Sequence, residues 1–376
     1  MKKSYKIILV VVGLVLVSSI WFAVKKNASK NPSAEIKSNQ ATVGNGWISK
    51  SLKGVLATLG NGSNQNSESA NLSGETQNNS QNDPLAADNP SSAGQTALQA
   101  PFSFAVIGDT KSFDNIPAGP LAQAVKSISE KKTDLVMTVG DLVQDCSKFD
   151  QCKSSFDQWK SVMQPILPKT YEVVGNHDRH GGGTSDKAWQ ESFDLPANGP
   201  VGFSELTYSF DYNNSHFVVL DTEKPKPHAL GPDQLAWIKN DLDNNKKQNV
   251  FVFFHEPAFP VGSKIGSALD VTKNDRDALW NILDSHKVTA VFSGHEHIFS
   301  LKTIDKKVFP EAKNNIRQFV VGNTAAPEEA GPASGMADYS FASRHFAIVK
   351  VNQEKITLEL YDTGGKLVKS WDFSGQ

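Results

Sequence analysis

Between Phe102 and Asn323 the chain repeats one local pattern: a short run of Val, Ile, Phe and Leu, then an abrupt stop at glycine, a carboxylate, an amide or an imidazole. The runs are FSFAVIGD (Phe102 to Asp109), DLVMTVGD (Asp134 to Asp141), TYEVVGNHD (Thr170 to Asp178), HFVVLD (His216 to Asp221), NVFVFFHEP (Asn249 to Pro257), TAVFSGHEH (Thr289 to His297) and RQFVVGN (Arg317 to Asn323). Apolar runs of this length without alternation predict strands buried on both faces, and such strands need cover. Helical patterns between them supply it, at Gly119 to Lys131, at Asp233 to Asp243 behind Gly231-Pro232, and at Asn274 to His286. Strands alternating with helices define an α/β layered fold. From Ser343 to Phe373 the texture changes to apolar–polar alternation around Gly364-Gly365, which predicts terminal antiparallel strands.

In a layered α/β sheet the loops after the carboxyl ends of the strands converge on one crevice. Here those loops carry Asp109, Asp141, Asn176-His177-Asp178, His255 and His295-x-His297. Oxygen and imidazole donors of this kind suit Mn, Fe or Zn. Taken singly, each has an ordinary reading, a Gly-Asp as a turn or helix cap and a lone His as a satisfied polar group. Gly-His-x-His is more pointed, because an extended segment sends both imidazoles to the same side. Five such sites at the same end of successive strands point together to a metal centre. The formal net charge of −2 provides no basic footprint for nucleic acid. Two cysteines, Cys146 and Cys152, are too few for a disulfide scaffold or a four-thiolate zinc site.

The N-terminal hundred residues differ in kind. Ile7 to Val24 is uncharged and flanked by Lys2, Lys3, Lys6, Lys25 and Lys26. As a helix this run spans about 27 Å, close to the hydrocarbon thickness of a bilayer. No Ala-x-Ala pattern follows, so the run reads as an uncleaved signal anchor over residues 1–26 rather than a cleaved signal, which would give a secreted protein. The basic extreme terminus places it inside and the rest of the chain outside the cytoplasm. Residues 27–100, rich in Asn, Ser, Gln and Gly, read as a disordered tether with a reach of roughly 45 Å. Within it Ile48, Leu52, Val55, Leu56 and Leu59 recur at helical spacing, either a short interfacial helix or a chance apolar patch. Residues 101–376 form the folded domain.

The ordered set Gly-Asp, Gly-Asp, Gly-Asn-His-Asp, strand-end His and Gly-His-x-His resembles the calcineurin-like metallophosphoesterase superfamily. YSFDYNNSHFVVLDTE and GPDQLAWIKNDL resemble its branch of purple acid phosphatases and cyclic-nucleotide phosphodiesterases. The resemblance implies a four-layer α/β fold, two mixed β-sheets in a sandwich flanked by helices. It implies hydrolysis of phosphate esters, monoester or diester, with a hydroxide bridging two divalent ions (Mn, Fe or Zn) as nucleophile. By motif position Asp109 and His297 would bind the first ion, Asp141 would bridge, and Asn176, His255 and His295 would complete the second. His177 would serve the leaving group, with Asp178 holding its ring. The substrate would be a small phosphorylated molecule or a phosphorylated envelope component; nothing in the pattern sets an oligomeric state.

The chain departs from the family at two positions. Lys111 stands where the first motif usually has a His, and Gln144 stands where purple phosphatases have a tyrosine. A cationic lysine does not ligate a metal. Lys111 is therefore a candidate for substrate phosphate, and Gln144 or Asp145 for the missing ligand. A rival reading follows from Lys111, a non-catalytic, envelope-tethered binding protein with a degenerate first site. His180 is a further candidate substrate contact, or a solvent-facing loop residue. Cys146 and Cys152 can pair if the domain is exported. Loops Ser112 to Ala118, Gly181 to Asp186 and Glu328 to Tyr339 would set substrate choice. Asn323 reads as a turn residue, and His216, His228, His286 and His345 show no spacing that calls for chemistry.

Overall fold

The apolar runs become two packed sheets. The computed structural model describes residues 100–111, 119–353 and 355–374. The expected anchor, tether and apolar patch, and the loop 112–118, lie outside them. Among the described residues no helix is long and apolar enough to cross a membrane.

In the first sheet β1 (Phe102–Ile107), β2 (Leu135–Thr138) and β3 (Thr170–Tyr171) run parallel. The C-terminal strands β11 (His345–Asn352), β12 (Lys355–Asp362) and β13 (Leu367–Ser374) continue antiparallel from β1. The turn expected at Gly364-Gly365 joins β12 to β13, with the Gly365 amide donating to the Asp362 oxygen at 2.9 Å. In the second sheet β5 (Ser215–Val219), β6 (Asn249–Phe253), β7 (Ala290–Ser293) and β9 (Ile316–Val321) are parallel. β4 (Tyr208–Tyr212) and β8 (Phe299–Ile304) flank them antiparallel, and β10 (Tyr339–Phe341) pairs antiparallel with β8, in the order β10-β8-β9-β7-β6-β5-β4.

Both faces of the second sheet's inner strands are buried, and the two faces are chemically distinct. Phe217, Phe251, Phe253 and Phe292 point between the sheets, where Phe104 of β1 meets their rings at centroid distances of 5.0–6.1 Å. Their neighbours Val218, Val250, Val252 and Val291 face the other way. That second core is closed by Ile238 and Leu242 of one helix, α4 (Gly231–Asn244), and Leu279, Trp280 and Leu283 of another, α5 (Lys273–Ser285). The period-two reversal of strand side chains thus makes one aromatic and one aliphatic layer from a continuous apolar run.

Helix α1 (Gly119–Lys131) has the expected bounds and buries Leu121, Ala124, Val125 and Ile128, one stripe at helical spacing. Helices α2 (Phe149–Met163) and α3 (Gly183–Gln190) were not among the expected elements. They join the first core through Phe156, Trp159 and Trp189. TYEVVGNHD is a strand only at its first two residues, because the Val173 amide leaves the ladder for the Thr138 hydroxyl at 2.8 Å. That early departure carries Asn176 and His177 across the ends of the strands. Two mixed sheets with helices outside them match the expected architecture.

Candidate metal centre

Asp109, Asp221, His255, His295 and Asn323 each lie two residues past the end of a strand. Asp109, Asp141 and His295 have left-handed backbones, with φ of 50°, 57° and 70°. Non-glycine residues adopt this conformation infrequently, and its occurrence at three donor positions marks a built site. Two glycines let these turns close on one another. A Cβ on Gly294 would stand 2.5 Å from Asp109 Oδ2, and one on Gly140 would stand 2.5 Å from His255 Nδ1.

Three donor atoms gather around His255 Nε2 and make a cluster of four with it. Asn176 Oδ1 lies 3.1 Å away, His295 Nδ1 3.2 Å and Asp141 Oδ2 3.3 Å. Asp141, His255 and His295 are all buried, and their ligand atoms lie within 4.8 Å of one another. Burial alone would drive the proton off His255, but Asp141 outweighs it and raises the imidazole to about 9. Burial and the neighbouring His255 push His295 well below the ordinary imidazole range, leaving a neutral donor. Burial also works against the charge of Asp141, yet His255 and Lys111 hold its carboxyl well below the usual range. Donors that draw a proton into their midst fit a cation, which takes the proton's place on binding.

The expected first set is arranged differently. Asp109 Oδ1 and His297 Nε2 stand 3.4 Å apart, buried, and neither has a hydrogen-bond partner. Unpartnered buried atoms of this kind call for a cation or proton between them. Lys111 reaches the same place. Its ammonium donates to Asp141 Oδ2 and lies 3.7 Å from Asp109 Oδ1, on a side chain only 6% exposed. Burial would depress this lysine, but Asp141 and then Asp109 raise it. His295 and His297 do not project to one side as an extended segment would place them. The left-handed turn at His295 sends that ring to His255 and leaves His297 to Asp109.

Main-chain carbonyls orient every ring. His255 Nδ1 donates to Val139 at 2.8 Å, His295 Nε2 to Ser267 at 2.8 Å and His297 Nδ1 to Pro327 at 3.1 Å. His177 Nδ1 donates to the Gln144 carbonyl at 2.6 Å. This corrects the role expected of Asp178, whose carboxylate instead accepts the amides of Leu142, Val143 and Gly175. Asp178 braces the loops from beneath and does not hold the ring. Asp145 is engaged by Ser147, Gln151 and His180, away from the four-donor cluster. Cys146 and Cys152 are joined as a disulfide.

A cavity of about 620 Å³ opens beside the centre, with Asn176 and His295 in its lining. His180, Arg179, Lys264 and His228 line it as well, so His228 belongs to the site's surroundings despite its silent spacing. Arg179 is fixed by Asp186 and by the Glu223 carbonyl. Glu296, the middle residue of His-x-His, accepts the amides of Val261 and Gly262 and anchors that turn. His-x-His was the available signal for Glu296. Arg179 follows Asn-His-Asp directly and was signalled only by that position. Asn323, expected as a turn residue, is fully buried instead, its Nδ2 donating to the Ala342 carbonyl at 3.2 Å and its Oδ1 without a hydrogen-bond partner.

Fold and donor set together define a metallophosphoesterase-type sandwich. The profile of the family described as calcineurin-like phosphoesterase matches residues 102–299, and the chain belongs to that family. It is 28% identical over 229 residues to tartrate-resistant acid phosphatase type 5 of Sus scrofa, covering 54% of this chain and 66% of that protein. Purple acid phosphatase 23 of Arabidopsis thaliana is 28% identical over 151 residues, covering 38% of this chain and 32% of that protein. The chain thus spans from 32% to 66% of the length of these relatives. A purple acid phosphatase from yellow lupin (Lupinus luteus) seeds has a similar structure, with a TM-score of 0.60 at 18% identity, covering 73% of this chain and 54% of that one.

Proposed function

We propose that the chain hydrolyses phosphate esters at a centre of two divalent ions, Mn, Fe or Zn, and accepts monoesters, diesters or both. The observation that carries this reading is the convergence of Asn176, His295 and Asp141 on His255 Nε2 within 3.3 Å. Asn176, His255 and His295 would hold one ion, Asp109 and His297 the other, with Asp141 shared. Bound there, the ions supply Lewis-acid charge to the phosphoryl oxygens and lower the pKa of water. His177 donates its Nδ1–H to the Gln144 carbonyl and burial favours the neutral ring, so Nε2 carries a lone pair that takes up a proton first and then donates it to the ester or the leaving oxygen. The cavity, walled partly by Pro225 and Pro227, suits the leaving group of a small phosphorylated molecule or of an envelope component.

The sequence outside the described residues supports a location for this chemistry. An anchor at residues 1–26 and a tether at 27–100 would keep the domain outside the cytoplasm and near the membrane. The test is hydrolysis of p-nitrophenyl phosphate and bis(p-nitrophenyl) phosphate by the full chain, with chelator and with added Mn. Metal-dependent turnover of either ester is the expected result. Metal binding without turnover of either would favour the rival, a tethered binding protein, for which the position of Lys111 is the supporting observation.

A further inference from the structure

Lys111 is the one residue at the centre whose chemistry opposes a metal, and it does not point away. Its backbone is tied in place, with the amide donating to the Asp141 carbonyl at 3.1 Å. Its stem is buried, and its ammonium rests on Asp141 while facing Asp109. A buried ammonium is tolerated only where carboxylates pair with it, and two buried carboxylates that face one ammonium depend on its charge in turn. Lys111 therefore bonds Asp141 and faces Asp109 Oδ1 as an ion pair at 3.7 Å, without a hydrogen bond to it. An ion held by Asp109 and Asp141 would need the same oxygens and would meet a like charge. The His255 set shares one atom with the ammonium, Asp141 Oδ2, and offers three others, Asn176 Oδ1, His255 Nε2 and His295 Nδ1, whereas both carboxylates of the Asp109 set face Lys111.

We propose that Lys111 is a resident counter-cation which the first ion must displace, so that the two ions load in order, the His255 site before the Asp109 site. This rests on the metal-centre reading of Asp109 and Asp141, though not on turnover of any ester. The first ion is then held conditionally, and occupancy of that site follows free metal over a range in which the second site is already full.

Equilibrium dialysis of the full chain against graded Mn, followed by elemental analysis, tests the order. Wild type should bind two ions in two classes, roughly 10–100-fold apart, the span typical when a partner just outside the ligand set is altered. Lys111→Met and Lys111→His should tighten the weaker class toward the stronger. Two ions in a single class in wild type would overturn the proposal. So would substitutions that leave the weaker class unmoved or weaken it. Melting temperatures separate this role from simple packing. Metal-stripped Lys111→Met should melt below stripped wild type, since its two carboxylates lose their cation, and the deficit should close at saturating Mn. An equal deficit with and without Mn would mean that Lys111 only fills space. Since dialysis involves no substrate, a chain that loads in order yet hydrolyses nothing would refute the proposed activity alone.

Discussion

His177 donates its Nδ1–H to the carbonyl of Gln144 across 2.6 Å, while its neighbour Asp178 turns its carboxylate back to the amides of Leu142 and Val143. The ring is thus set by a loop, and the loop is set by the residue next to the ring. Function at His177 and stability at Asp178 should therefore separate cleanly on mutation.

Asp141→Ala removes the carboxylate shared by both donor sets and should abolish binding of both ions. His177→Ala should leave metal content at the wild-type value while lowering kcat about 10²–10⁴-fold, the usual contribution of a positioned acid–base group. Elemental analysis beside steady-state kinetics checks both. Loss of ions in the His177 variant would make that imidazole a ligand rather than an acid–base group.

Asp178→Ala leaves three buried amides, at 2.9, 3.1 and 2.9 Å, without an acceptor. A hydrogen bond to a charged group is worth about 1.5–3 kcal/mol, so the loss should be about 3 kcal/mol or more. Asp178→Asn, which keeps one oxygen, should lose less. Urea unfolding measures both, and a variant as stable as wild type would refute the bracing role.

The Cys146–Cys152 disulfide closes a short loop that starts two residues after Gln144, whose carbonyl holds the His177 ring. The Cys146→Ala/Cys152→Ala double variant should lower kcat about tenfold, an effect of misplacing a positioned group, with metal stoichiometry unchanged. Kinetics of the double variant beside wild type treated with a reductant provide the check. Full activity in both would show that the loop holds without the link.

His216, far from the centre, should give a pH signature of stability. Burial would lower its pKa, but hydrogen bonds to Asp241 at 2.8 Å and Asp211 at 2.7 Å raise it above the ordinary value. Its stabilisation is therefore full below about pH 6.5, the unfolded value, and fades as pH rises through the higher folded value. His216→Gln should cost about 1 kcal/mol at pH 5.5, a figure kept low because Asp211 is half exposed, and less at pH 9. Equal losses at both pH values would exclude the charged pairing.

What could be read from sequence were the features written in side chains. Runs ending in donors located every strand-end residue of the centre, and the 3.6-residue stripe of Leu121, Ala124, Val125 and Ile128 fixed α1 to the residue. What escaped was written in main-chain atoms. The carbonyls of Val139, Ser267, Pro327 and Gln144 hold four rings, yet any residue could supply them. The parting of His295 from His297 depends on one backbone angle, which the pattern Gly-His-x-His does not specify. Sequence flagged Lys111 as an anomaly, but only the placement of its ammonium shows that it bears on Asp141 itself.

The left-handed angles at Asp109, Asp141 and His295 carry a consequence for the protein's descendants. Each costs about 1 kcal/mol relative to a relaxed turn, and glycine or asparagine relieves it. Where selection rewards heat tolerance and ignores chemistry, substitutions should collect first at His295, and at Asp109 and Asp141 only together with Lys111, whose buried charge those two carboxylates hold. The sturdiest lineage would then be the inert one, its dead centre still wrapped in an intact sandwich.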